Sequence, residues 1–307
     1  MTLSGLSDSI LCMSQKQDVL FPASVGKEIV ARIGLMSDTH MPDRLAKLPA
    51  GLWQAFAGVD FILHAGDVGE LWVLDELSTI APVIAVHGND ETADATRELP
   101  YKQVVTVAGQ RILVWHSHYQ DRIDEMASRQ DETLLPKLER IAAHGRRAGA
   151  RIVFFGHWHI PLTYQFEDLF LINAGTFASG SWFTRARHQT AALLQFYADG
   201  SFETVHIDLA APSQPFTAAF DVSAGFRAAA APYEDTIITA ALQTRLPAFW
   251  AHELADKAAV VKAILRLGHR CWSGELDHYG RELLLAEILN DTHIDPADQT
   301  WARSVLE

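Results

Sequence analysis

Five short blocks of metal-competent residues stand in order along the chain: Asp38-Thr39-His40, His64-Ala65-Gly66-Asp67, His87-Gly88-Asn89-Asp90, Trp115-His116-Ser117-His118 and Gly156-His157-Trp158-His159. An Asp-x-His or Gly-Asp pair alone is commonplace, and a lone histidine near a core strand is more often a packing residue than a ligand. Together the blocks supply carboxylate, amide oxygen and imidazole. That donor mixture suits divalent Mn, Fe, Ni or Zn and not a thiolate-preferring ion. A shared metal site gives all five blocks one purpose.

Each block falls where a strand pattern gives way to a loop, and strand ends along one edge of a sheet are where α/β folds assemble their sites. Strand patterns at 31–37, 60–64 and 83–87 alternate with amphipathic segments at 45–56 and 70–80. This βαβαβ order predicts a layered α/β core. A hairpin is expected over 103–107 and 111–115 around Ala108-Gly109-Gln110, followed by a charged helix over about 131–149 and a buried strand at 151–155. The runs 162–166 with 169–173, and 191–197 with 202–207, read as antiparallel pairs.

Residues 1–30 form an N-terminal extension with an apolar patch around Ile10, and residues 31–209 carry every block. Ala211-Pro212-Ser213-Gln214-Pro215 reads as a linker into a helical region, 210–307. Helices are expected there over 233–246, 247–267 and 280–290, stopped by Gly268 and Asn290, with a last helix opened by Asp295 as N-cap and Pro296 at N1.

The 307 residues are 49% apolar, enough to fill a core. Thirty-eight acidic against 25 basic side chains give a net charge of -13, which opposes attraction to an extended nucleic acid. A small phosphorylated substrate remains compatible, because bound cations reverse the field locally. Cys12 and Cys271 form no CxxC pair or disulfide framework. No secretory leader or membrane-length apolar run is evident, so a cytoplasmic protein with no membrane partner is expected. The helices beyond 210 offer a surface for a homo-oligomer.

The ordered set resembles the calcineurin-like metallophosphoesterase superfamily, whose pattern is D-x-H, G-D, G-N, H and G-H-x-H, and within it the small bacterial and archaeal phosphodiesterases. The stretch from Gly34 to Arg44 resembles their opening strand and loop, and Ile172-Asn173-Ala174-Gly175-Thr176 resembles their I-N-x-G-S segment. Coverage runs from about residue 31 to 209. The resemblance implies an α+β fold layered α/β/β/α: two facing mixed β-sheets flanked by helices, with the metal site at strand ends. It implies two divalent ions, Mn2+, Fe2+, Ni2+ or Zn2+. Asp38, His40, Asp67 and His159 would hold one ion, and Asp67, Asn89, His116 and His157 the other, with Asp67 as the bridge. The implied activity is dimetal-dependent hydrolysis of a small-molecule phosphate ester, most simply a phosphodiester, by in-line attack of a hydroxide bridging the ions. A different class of function, a protein-binding scaffold, is represented by a eukaryotic retromer subunit that resembles this fold. All seven ligand positions carry metal-competent side chains here, which favours catalysis.

Two positions depart from the pattern. Many relatives have a leaving-group-protonating histidine after the G-N pair, where this chain has Asp90, a carboxylate that should stay ionised near cations. Ser117 stands where relatives usually have glycine. Asn89 is expected to bind metal through its amide oxygen and a phosphate oxygen through its NH2 group. His118 is the alternative acid, or else orients its neighbours. Arg44 and Arg122 follow ligand blocks and could meet phosphate, although a loop arginine is ordinarily only solvated.

Overall fold

The computed structural model describes residues 20–22, 24 and 26–307, so the apolar patch around Ile10 and the expectation for Cys12 lie outside the described residues. In chain order the first part runs β1 (Ile29–Met36), α1 (Gly51–Ala55), β2 (Phe61–His64), α2 (Trp72–Leu77), β3 (Val83–Ala85), α3 (Ala93–Glu98), β4 (Lys102–Val107) and β5 (Gln110–Trp115). Next come α4 (Arg122–Gln130), α5 (Leu134–Arg147), β6 (Ile152–Phe155), β7 (Leu162–Phe166), β8 (Leu169–Asn173), β9 (Thr184–Ala186), β10 (Thr190–Tyr197) and β11 (Phe202–Asp208). The rest comprises α6 (Phe226–Ala230), β12 (Glu234–Thr236), α7 (Ala240–Gln243), α8 (Leu246–Trp250), α9 (Lys257–Trp272), α10 (Arg281–Asn290) and α11 (Pro296–Leu306).

Two mixed five-stranded sheets, ordered β11-β10-β1-β2-β3 and β4-β5-β6-β8-β7, pack face to face. The side-chain alternation of a strand explains the layering. Ile152 and Phe154 of β6 point into the layer between the sheets with Ile33 and Leu35 of β1, while Val153 and Phe155 point outward to Leu138 and Ile141 of α5. Helices α1 and α2 cover the other outer face, where Leu52, Phe56, Val73 and Leu77 meet Met36 and Ile62. This is the α/β/β/α order expected. Each such fully buried side chain stabilises by about 1.5–3 kcal/mol.

Local departures have identifiable causes. The apolar runs at 45–56 and 70–80 supply shorter helices than their period predicts. Helix α4 went unpredicted because its burial is inverted: Ile123 and Met126 are exposed while Glu125 is buried. Asp121 nonetheless caps it, accepting from the Ile123 and Asp124 amides. Gly268 does not stop a helix. It lies inside α9 against the Trp272 ring, where a Cβ would sit 3.0 Å from the nearest ring atom. The run at 247–267 is broken, with α8 ending at Trp250 and Asp256 capping α9 through the Ala259 amide. Asp295 and Pro296 open α11 as predicted.

The segment after residue 210 returns to the sheets. Phe216, Phe220, Phe226 and Tyr233 pack with Trp158, Ile160 and Leu162 on the outer face of the second sheet. Where a helix was expected from 233, β12 instead pairs antiparallel with β9. The final helices share a core built from residues such as Leu242, Phe249, Ile264 and Leu284, with Trp182 and Phe183 packed against it.

Candidate metal centre

Asp38, His40, Asp67, His157 and His159 all adopt left-handed backbone conformations, with φ between 45° and 75°. That region costs an L-residue roughly 1–2 kcal/mol, and it persists only where neighbours over-determine it. Here the loops hold one another. The Asp38 amide donates to Gly66 O (2.9 Å) and the His40 amide to Asp67 O (3.0 Å). The Asp38 carbonyl accepts from Thr176 Oγ1 (3.1 Å), which gives the Thr176 segment its task. Asn173 donates to Gly156 O (3.1 Å) and accepts from the Gly175 amide (2.8 Å), tying the last ligand loop to β8. Gly88 has to be glycine, since a Cβ there would sit 2.0 Å from Asp67 Oδ1.

His64 braces the site rather than joining it. The Gly66 amide donates to its Nδ1 (3.2 Å), so Nε2 carries the proton and faces Thr39 Oγ1 (3.2 Å), which donates in turn to Val68 O (2.9 Å). Burial pushes its pKa down to about 4 and keeps it neutral.

Two overlapping groups of buried donors result: Asp38 with His40 and His159, and Asp38 with Asp67 and His116, the ligand atoms of each lying within 4.8 Å of one another. Asp67 Oδ1 accepts the Asp90 amide (2.8 Å), while Oδ2 lies 3.5 Å from His40 Nε2 and 3.2 Å from His116 Nε2. Asp38 Oδ1 lies 3.1 Å from His159 Nε2 and 4.0 Å from His116 Nε2. His116 Nδ1 bonds the Ala65 carbonyl (2.8 Å) and must be the protonated nitrogen there. Its Nε2 is aimed at carboxylate oxygens, buried and without a hydrogen-bond partner. Carboxylates and an imidazole held this close call for positive charge between them, a proton on Nε2 or a divalent ion in its place, and the donors suit such an ion.

The electrostatics agree. Burial alone would raise Asp38, but the adjacent His159 and His116 hold it down to about 2, and Asp67 lies well below the usual carboxylate range for the same kind of reason. Burial would lower His116, yet Asp67 and Asp38 lift it to about 9. A proton so held supplies the positive charge that the buried carboxylates demand.

Five of the seven expected ligands thus converge. His157 stands beside them, its ring 5.1 Å from that of His116 and its Nε2 2.9 Å from Glu125 Oε1. Asn89 is exposed and makes no side-chain hydrogen bond among the described residues. Asp90 pairs with Arg44 and sits 3.4 Å from His40 Nδ1, the hydrogen bond to His40 lowering its pKa first and Arg44 second. Arg44 also donates to Ser179 O (2.9 Å), so it is an anchored, nearly buried group and not a solvated loop arginine. Arg122 is exposed at the start of α4, with no ion pair among the described residues. Ser117 takes φ 77°, the glycine-like conformation, and its hydroxyl donates to Gly156 O (3.3 Å), so His116 reaches the centre despite the added Cβ. His118 is buried beside His116 and His157, burial and those two rings pushing it down to about 3.

Three carboxylates escaped the sequence reading. Glu125 accepts from the Tyr119 amide (2.9 Å) and Arg129 Nε (2.7 Å) besides meeting His157; its one sequence signal is the Asp121 cap four residues earlier. Glu91, directly after the Asn89-Asp90 block, accepts the amides of Val68, Gly69 and Gly88 and so ties two ligand loops, burial pushing its pKa up to about 7. Burial would lower His159, Asp38 beside it raises it, and Glu234 of β12 adds to that rise from beyond Gly180.

Comparison with known proteins yields a consistent assignment. Residues 32–199 match the calcineurin-like phosphoesterase superfamily domain. A probable metallophosphoesterase of Methanothermobacter thermautotrophicus is 33% identical over 144 residues, 47% of this chain and 76% of that protein. Another from Methanocaldococcus jannaschii is 33% identical over 144 residues, 47% of this chain and 67% of its own. Among solved structures, Chaetomium thermophilum Vps29 aligns with a TM-score of 0.41 at 18% identity, over 58% of this chain and 94% of that one.

Proposed function

Because the chain belongs to the calcineurin-like phosphoesterase superfamily, we propose that it hydrolyses a small phosphate ester, most simply a phosphodiester, using two divalent cations. Asp38, His40, Asp67 and His159 would hold one ion; Asp67, Asn89, His116 and His157 would hold the other. The observation that carries this reading is Asp67 Oδ2, placed between His40 and His116 at 3.5 and 3.2 Å. Asp38 belongs to both donor groups, but its Oδ1 lies 4.0 Å from His116 Nε2 against 3.2 Å for Asp67 Oδ2, which makes it the weaker bridge.

When bound, the ions acidify a water for attack on phosphorus and offset charge on the phosphate oxygens. The chain's own residues do the rest. Asn89 would offer its NH2 group to a phosphate oxygen and its amide oxygen to a metal ion. Glu125 accepts a hydrogen bond from the Nε2–H of His157, which leaves Nδ1 of the neutral ring with the free lone pair, the orienting role of a carboxylate behind a ligand histidine. Glu125→Gln should therefore weaken metal affinity or turnover roughly 10–100-fold. Titrating activity and bound Mn2+ in parallel checks this, and unchanged values for both would remove Glu125 from the site.

Neither acid candidate offered by the sequence, Asp90 or His118, is poised to protonate the leaving oxygen. Asp90 is kept ionised by His40 and Arg44, and His118 is kept neutral. Rates should therefore fall steeply as the leaving-group pKa rises. Asp90→His should flatten that slope, raising turnover of alkyl esters more than of nitrophenyl esters. A slope already shallow in the parent and unmoved by the substitution would refute the assignment.

A further inference from the structure

A cavity of about 240 Å³ adjoins the metal centre, bordered by His157, Tyr119, Trp158, Lys137, Arg140 and Phe226. It is smaller than the roughly 300–1,000 Å³ pockets that enclose a whole ligand, so it suits part of one. Arg129 and Arg227 also reach it, but each is neutralised, by Glu125 (2.7 Å) and Glu132 (2.9 Å) respectively. Lys137 and Arg140 are not. Lys137 Nζ donates to the Ser128 carbonyl and to Ser128 Oγ (3.0 Å). Arg140 donates to the Ser117 carbonyl and stacks 3.7 Å from the Tyr119 ring centre. Neither has a carboxylate within ion-pair distance among the described residues. Burial lowers the pKa of both, which marks the cost of holding these charges out of water with only neutral partners. In a chain of net charge -13, two cations without a direct ion-pair partner lining one cavity are a directed arrangement.

We propose that this cavity is a second subsite of the substrate, taking a phosphoryl group joined to a planar aromatic ring. Two converging cations match a dianion, whereas a carboxylate would leave one of them unpaired. Tyr119, Trp158 and Phe226 supply flat apolar walls for the ring. The substrate is then a nucleotide-like molecule that carries a phosphate besides the one at the metals. Naming this ligand a substrate rests on the phosphoesterase reading; the binding site itself rests on Lys137, Arg140 and the walls.

Binding separates the two. The full chain is titrated calorimetrically with adenosine 3′,5′-bisphosphate and with adenosine in the presence of chelator, so that the carboxylate-rich centre adds no phosphate affinity. The bisphosphate should bind and adenosine should not. Lys137→Gln should weaken binding at least tenfold, and Lys137→Arg should restore it to within threefold, with melting temperatures monitoring the fold. Absence of bisphosphate binding, or binding indifferent to a folded Lys137→Gln, overturns the inference. In the Mn2+-loaded parent, thymidine 5′-(p-nitrophenyl phosphate) bearing a 3′-phosphate should show kcat/KM at least tenfold above the same ester without it. Equal values overturn the inference even if the Lys137 variant does not fold. Bisphosphate binding with no hydrolysis of any ester sinks the phosphoesterase reading and leaves the subsite standing.

Discussion

Asp67→Asn should lower hydrolysis of bis(p-nitrophenyl) phosphate by at least roughly 10²–10³-fold, the scale on which single electrostatic contacts to a developing transition state are lost. The effect is large because Asp67 Oδ2 lies near a histidine of each donor group, His40 on one side and His116 on the other. An amide there leaves two cations repelling each other at short range with less negative charge between them. Metal analysis should show fewer ions per chain in the variant than in the parent, and chelation should abolish parental turnover, with Mn2+ restoring it. Near-normal activity with two ions retained would sink the assignment and pass the bridging role to Asp38.

What was legible in the sequence has a physical boundary. The candidate ligand blocks are readable because each combines a strand end with the loop that follows it, so donor types and hydrophobic pattern coincide within a few residues. The two sheets are readable for a related reason: a strand such as β6 is apolar on both faces because it separates two layers. Glu125 was not readable. It sits on a helix whose buried position is acidic and whose exposed positions are Ile123 and Met126, so apolar periodicity points the wrong way. Glu234 belongs to a strand of three residues, formed only because β9 offers an edge to pair with, and nothing local announces it. Gly268 misled because glycine has two uses, ending a helix and letting a ring pack close, and only the presence of Trp272 distinguishes them.

Ending the chain at Ala211 should cost the protein its stable fold, although every proposed ligand lies before that point. The deleted segment contributes Phe216, Phe220, Phe226 and Tyr233 to the cluster around Trp158, Ile160 and Leu162. Full burial of one such side chain stabilises by about 1.5–3 kcal/mol, so four partly to fully buried ones amount to several kcal/mol. A domain holds only about 5–15 kcal/mol in all. The loss also falls beside the chemistry, since Trp158 stands between His157 and His159 and packs edge-on against Phe226 at 5.7 Å. Removing β12 and the last helices would further strip β9, Trp182 and Phe183 of their partners. The truncated protein should be insoluble, or should melt at least about 10 °C below the full chain, since each kcal/mol shifts the midpoint by roughly 2–4 °C at this size. Phe220→Ala with Phe226→Ala in the full chain tests the same argument more gently, with a drop of a few degrees and a raised requirement for Mn2+. A soluble truncation with unchanged melting temperature and full turnover would show that the segment rests on the sheet without supporting the metal loops.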